Sequence, residues 1–386
     1  MLTTYEAMHS MLQTHQGVVA NVRKSFLLSN VVHANLQQAV AEKATEAAHQ
    51  HWDPTRIFQW WQDFPSFNAL ARVLGTRENR VQNYTYKSKD LVESISQIKA
   101  VTLFRLETGA RSADIASIKL KHCRPNVSDW PTAAVISLAY HNTNGQKLAR
   151  QINRVTPPVK VSRVGARCCT VQALSDYAHL TSAKPWPNVR ELRPLFISTR
   201  KQKMLREAQI NDKFVKKKIT AHTSLQSSTL AKAMGFSLEM CNIAAKPASS
   251  RGASTSAIIK WTDVSIKKVM QRAMWRDQKT FTRYYQRALA TSIQTSNQWK
   301  DATDLSKAIR QFVVLESPNG PQTMLNNLAK FLAMPMHRYL RSSKASAKSV
   351  AETYGILSED LAAIVRHDYP LAGKLFDPWC ATYAWI

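Results

Sequence analysis

Apolar residues recur at helical spacing over the first fifty positions, around Val18, Val19, Leu27, Leu28, Val31 and Leu36, and predict a helical arm that packs on a neighbour. The segment IFQWWQDFPSFNAL follows Asp53-Pro54, a pairing in which the aspartate caps a helix and the proline takes its first position. Trp60 and Trp61 within it fall to the core. Residues 90–120 predict a long helix, a Thr-Gly turn carrying Arg111 and Ser112, and a further helix. The stretch TAAVISLAYHNTNGQKLARQINRVTPP alternates in the manner of a β-hairpin, with Asn144-Gly145 as its turn. A helix over TVQALSDYAHLT, a short strand over RPLFIS and helices over 223–235 and 254–274 follow, with a turn-rich segment from Phe236 to Ser250. The 10 glycines and 15 prolines fall chiefly at the breaks, so the fold class expected is α+β and mainly helical.

A length of 386 residues accommodates two domains, or one large domain with extensions. No apolar run approaches the roughly 18 residues of a membrane span, and MLTTYEAMHSMLQ does not have the pattern of a signal peptide. Cys123, Cys168, Cys169, Cys241 and Cys380 show no zinc spacing, so free thiols in a reducing compartment are expected.

Charge narrows the choice of partner. The chain holds 53 Lys+Arg against 26 Asp+Glu, a net +27, which favours a polyanion. The excess is uneven. Residues 1–50 carry three basic and three acidic side chains, whereas 199–300 carry twenty basic and five acidic, a net +15. Lys213, Lys216, Lys217 and Lys218 form a run that suits phosphate neutralisation, and equally a solvated lysine face or a nuclear-import signal.

Candidate chemistry sits in the same basic segment. SSRGASTSAIIKW places Arg251 at a helix start, and MWRDQKTFTRYYQR brings Trp275, Tyr284 and Tyr285 about two helices later. A phenol has a pKa of about 10 and attacks a phosphate only where cations surround it. Arginine forks serve this purpose, because they grip phosphate oxygens bidentately and stay charged. A second arginine, Arg111, lies upstream in LFRLETGARSADIASIKL.

The TGARSAD box, the RGASTSA box and the W…TFTRYY ending together resemble the tyrosine recombinases, phage-integrase-like DNA strand-transfer enzymes, and look closest to those of eukaryotic Crypton and DIRS-like mobile elements. The resemblance covers roughly residues 52–290. It implies a catalytic domain over 96–300, a helical N-terminal region over 1–95 that either forms a reduced DNA clamp or leaves clamping to partners or the tail, and a helical tail over 301–386 that either contacts a neighbouring protomer or folds onto its own domain. It also implies that Arg111 and Arg251 are the catalytic arginines, that Asp114 helps hold the site together, and that a hairpin lysine, for which Lys147 is the nearest candidate, protonates the leaving 5′-oxygen. His141 is the alternative on the preceding strand. Trp275 fills the family's His/Trp position, and Tyr285 is favoured as nucleophile over Tyr284 because an aromatic residue precedes it.

One position departs from the family. The histidine slot of the second box holds Ala248, which neither donates a hydrogen bond nor moves a proton; Lys246 is a candidate substitute, and His222 in AHTSLQ is a decoy without an arginine. The activity implied is cleavage and rejoining of double-stranded DNA through a 3′-phosphotyrosine, without metal or nucleotide cofactor, by a dimer or tetramer, in the nucleus if the host is eukaryotic. A catalytically impaired DNA-binding descendant, or a type IB topoisomerase, would carry related features.

Overall fold

A helix of 21 residues, Ser88–Thr108, runs through the middle of the packed elements and is buried along most of its length. It is α3 in a computed structural model whose described residues are 52–75, 78–81, 84–139, 158–182, 184, 192–210, 213–261, 265–273, 320–336 and 348–370. A helix that is apolar on all sides belongs in a core rather than on a surface. Leu91, Val92, Ile95, Val101, Leu103, Phe104 and Leu106 are all buried, which satisfies that rule. Some of its buried polar groups bond across the core, as where Thr102 Oγ1 meets Ser237 Oγ at 3.0 Å.

The elements before α3 pack against it. Helix α1, Thr55–Gln62, starts where Asp53 Oδ1 accepts the Thr55 N–H at 2.9 Å, so the aspartate caps it as expected. Helix α2, Phe67–Leu74, is capped by Ser66, whose hydroxyl accepts from Ala69 N at 3.2 Å. Trp60 and Trp61 are buried, as expected of core residues. Strands β1, Glu78–Val81, and β2, Tyr84–Lys87, form a small antiparallel pair that hydrophobic patterning does not signal.

After α3 come α4, Ser112–Ala116, and a three-stranded antiparallel sheet of β3, Cys123–Arg124, β4, Val135–Leu138, and β5, Val159–Ser162, in the order β3-β4-β5. The expected hairpin is corrected in register. Leu138 pairs with Val159, so residues 139–158 separate the paired ends, whereas a two-residue turn at Asn144-Gly145 would set Leu138 against Gln151. The reason lies in burial: Val159 and Val161 alternate with exposed Lys160 and complete a buried face with Ile136 and Leu138. Asn144, Gly145 and Lys147 lie outside the described residues.

Helix α5, Thr170–Thr181, matches its expectation. The short strand expected at RPLFIS does not stay short. Strand β6 runs Ile197–Ile210 and pairs antiparallel with β7, Lys213–Ser224, in a two-stranded ribbon of its own. Neither span contains Gly or Pro, and the ladder runs in one register from Lys201↔His222 to Ile210↔Lys213 after a shift between Ile197 and Lys201. The helix expected over 223–235 is displaced to α6, Ser227–Met240, because β7 holds its first residues. The helix expected over 254–274 is two, α7, Ser250–Trp261, and α8, Ile266–Arg272.

The described residues of the tail belong to one compact unit with the helices before them. Helices α9, Pro321–Ala333, α10, Val350–Tyr354, and α11, Ser358–Asp368, join the same core as α1 and α3. Phe331 of α9 lies 5.8 Å from Phe64 and 5.1 Å from Phe236, ring to ring, and Phe236 meets Trp60 at 6.2 Å. Such edge contacts are each worth about 0.5–1.5 kcal/mol beyond the area they bury. At the far end, the Asp368 carboxylate accepts both the N–H and the hydroxyl of Ser66, at 2.7 and 2.6 Å. The described tail therefore folds onto its own domain; residues 371–386 lie outside the described ones.

Phe331→Ala should lower unfolding stability by about 3–5 kcal/mol in urea. Because this tail helix packs within its own chain, that loss should be the same at high and at tenfold lower protein concentration.

Candidate functional site

The turn that carries Arg111 is built by a left-handed glycine. Helix α3 ends at Thr108, and Gly109 adopts φ +66, with its N–H donating to Arg105 O at 2.8 Å. Thr108 Oγ1 then accepts the Ala110 N–H at 3.2 Å, which turns the chain towards α4. Arg111 stands at the N-cap of α4, half-buried, and its backbone N–H donates to Asp114 Oδ2 at 3.1 Å. Asp114 is 1% exposed. The carboxylate thus fixes the backbone from which Arg111 projects.

Arg251 enters from the opposite side. The segment before it forms a one-turn 3-10 helix over Pro247–Ser249, after which Ser250 Oγ donates to Pro247 O at 2.7 Å. Arg251 lies in the first turn of α7, is 4% exposed, and donates from Nη2 to the Ala273 carbonyl just beyond α8. Ser254 Oγ donates to Leu106 O, which pins α7 to the last turn of α3. Trp52 Nε1 donates to Ser249 Oγ at 2.8 Å and steadies the turn from the N-terminal side.

The two boxes meet at Gly109. A methyl group on this glycine would sit 3.3 Å from Ala273 Cβ, 3.4 Å from Thr255 Cγ2 and 3.9 Å from Arg251 Cγ. The Thr-Gly turn is therefore pressed against the stem of Arg251 and the end of α8. Only a residue without a side chain fits both the space and the positive φ.

Arg105, which the motif reading passes over, ties the boxes together. Its Nη1 donates to Ser112 Oγ at 2.6 Å, next to Arg111, and its Nη2 donates to Pro247 O at 2.9 Å, across 142 residues of sequence. Burial pushes its guanidinium down to about 10, and Asp114 works against that shift. The signal was present in LFRLETG, an arginine set in an apolar run one turn before the glycine. Arg105 and Arg251 donate to the Ser112, Pro247 and Ala273 oxygens, and Arg111 stands on the adjoining turn, so the two arginine-bearing segments are held side by side.

The other sequence candidates divide. Ala248 is exposed on the 3-10 turn, and Lys246 is exposed just before it. His222 is buried on β7, where Nδ1 meets Ser198 O at 2.7 Å, a local structural bond that agrees with its reading as a decoy. Lys213, Lys216, Lys217 and Lys218 all fall on β7, with Lys216 opposite Glu207 and Lys218 opposite Leu205. Lys147, His141, Trp275, Tyr284 and Tyr285 lie outside the described residues. Cys123, Cys168, Cys169 and Cys241 are buried free thiols, and burial pushes Cys123, Cys168 and Cys241 up to about 12.

No protein-family model matches the chain, and no curated protein matches its sequence. Among the described residues no helix is long and apolar enough to cross a membrane.

Gly109→Ala should destabilise the fold by at least about 1–2 kcal/mol, the cost of left-handed backbone for a residue with a side chain. In a double-mutant cycle, Arg105→Met and Ser112→Ala should couple by roughly 0.5–3 kcal/mol in urea unfolding. Additive effects would mean that Arg105 does not tie the two boxes.

Proposed function

We propose that this protein is a DNA strand-transferase of the tyrosine-recombinase type. The observation that carries the proposal is the packing of the Arg111 turn against Arg251 through Gly109, with Arg105 joining the two segments. A helix start and the guanidinium groups of Arg111 and Arg251 suit the five-coordinate phosphorus of a transesterification, where negative charge gathers on the non-bridging oxygens.

The reaction balances without an outside reactant. The Tyr285 phenol gives its proton to solvent water and its oxygen bonds to phosphorus, while the bond from phosphorus to the 5′-oxygen breaks. The leaving oxygen takes a proton from a general acid, for which Lys147 is the candidate. The product is a 3′-phosphotyrosine and a free 5′-hydroxyl, and a second 5′-hydroxyl reverses the step with strands exchanged. Arg111 and Arg251 hold the charge throughout. Exchange between two duplexes calls for more than one protomer.

One observation favours a second reading. The histidine slot holds Ala248, so a proton-moving group of the family is missing, and a protein that binds DNA without cleaving it would tolerate that loss.

A nicked duplex from the cognate element end separates the two. With the strand-transfer reading, the parent chain yields a covalent protein–DNA band that Tyr285→Phe abolishes and Tyr284→Phe keeps. A band lost in Tyr284→Phe alone moves the nucleophile by one residue. No band in the parent, with binding intact, selects the second reading, and its appearance in Ala248→His would locate the defect. Under either reading, binding should weaken steeply with salt, by about 0.9 in log–log slope per phosphate neutralised, and replacing Lys216, Lys217 and Lys218 with Gln should flatten that slope by about 2–3. An unchanged slope would remove this run from the interface.

A further inference from the structure

A cavity of about 700 Å³ opens between the start of α2, the loop from β5 to α5, and one face of α5. It lies apart from the arginine turn, and neither Arg105, Arg111 nor Arg251 lines it. Its rim reaches solvent at Asn68, Thr132, Ala134 and Gly165, all exposed. The size suits a small organic ligand.

Its walls are cationic. Lys99 of α3 lines it although only 9% exposed, and among the described residues its ammonium has no hydrogen-bond acceptor; the face of Trp61, at 5.8 Å, is the contact it makes. A buried ammonium without an acceptor is costly, and burial pushes Lys99 down from its usual value. Arg163 lines the same space. It donates to Ala133 O at 2.8 Å, to Trp130 O at 2.5 Å and to the Gln172 side-chain oxygen, three neutral acceptors that leave its charge standing. Arg167 is balanced by Asp368 at 3.5 Å.

Asp176 is the one carboxylate in the lining. It accepts from Gln172 Nε2 at 2.7 Å, burial pushes it up towards the neutral form, and both Lys99 and Arg163 act on it to oppose that shift. Lys99 and Arg163 thus line one cavity with a single carboxylate, whose burial favours its neutral form. Phe67, beside the rim, supplies an aromatic surface.

We propose that this cavity binds a small aromatic oxyanion, a phosphate or a carboxylate, with its anionic head between Lys99 and Arg163 and its ring against Phe67. The site does not depend on strand transfer. Calorimetric titration of the full chain with phenyl phosphate and with benzoate tests it without DNA. At least one probe should bind, the tighter one naming the head group. Lys99→Met should weaken that binding roughly tenfold or more, whereas Lys121→Met, on an exposed loop residue, should not. Asn68→Trp, placed on the exposed rim, should block entry, and it decides the matter alone if Lys99→Met fails to fold. Binding of neither probe, or binding that survives both Lys99→Met and Asn68→Trp, would overturn the proposal.

Discussion

The guanidinium of Arg105 is the interaction on which the candidate site depends. It sits at the end of a helix buried on most sides, where a charge is expensive, and it is kept there by a hydroxyl and a carbonyl from segments that are otherwise far apart in sequence. Those segments carry Arg111 and Arg251. Helix α3 supplies the rigidity, Gly109 supplies the close approach, and Arg105 sets the spacing. Ser254 on Leu106 O adds a second tie between α7 and the same helix end. A long buried helix is a suitable base for such a site, since its packing leaves its last turn little freedom.

Much of this was legible in the sequence, for reasons that can be named. The LFRLETGARSADIA segment declares a helix, a Thr-Gly turn and a further helix through local chemistry, and the structure builds each of them. Asp53 and the paired tryptophans were readable for the same reason. What sequence did not disclose depends on partners far along the chain. The register of β4 with β5 follows from which valines complete a buried face, and Asn144-Gly145 was a stronger local signal than that tertiary constraint. The ribbon of β6 and β7 hid behind its lysines, because a run of like charges masks the two-residue period. The tail was ambiguous because an amphipathic helix such as α9 does not say whose core it will enter; Phe64 and Phe236 supply the answer.

The same helix α3 carries three further buried ionisable groups, and their settlement differs. Glu93 is paired with Lys184, although burial still pushes it up. Glu107 faces the side of Cys168 and Cys169, whose thiols it helps to keep protonated. Lys99 faces the cavity and an aromatic ring. Structural need accounts for a paired charge more readily than for one that a methionine of similar length would replace, and this contrast is what marks Lys99 out.

Ala248 bears on which reading of the arginine site is the stronger. Its side chain is exposed, while the contacts that shape its turn come from the Pro247 carbonyl and the hydroxyls of Ser249 and Ser250. Loss of a histidine there leaves the turn's scaffold intact, so the fold neither requires nor forbids it. The arginines are different. Replacing buried charges by apolar residues of similar volume is often neutral or stabilising, so a domain that only held DNA by its exposed lysines would gain nothing by desolvating Arg251. Its stem is fixed against the Thr-Gly turn and its Nη2 donates to the Ala273 carbonyl, a placement that suits the strand-transfer proposal better than binding by surface lysines alone.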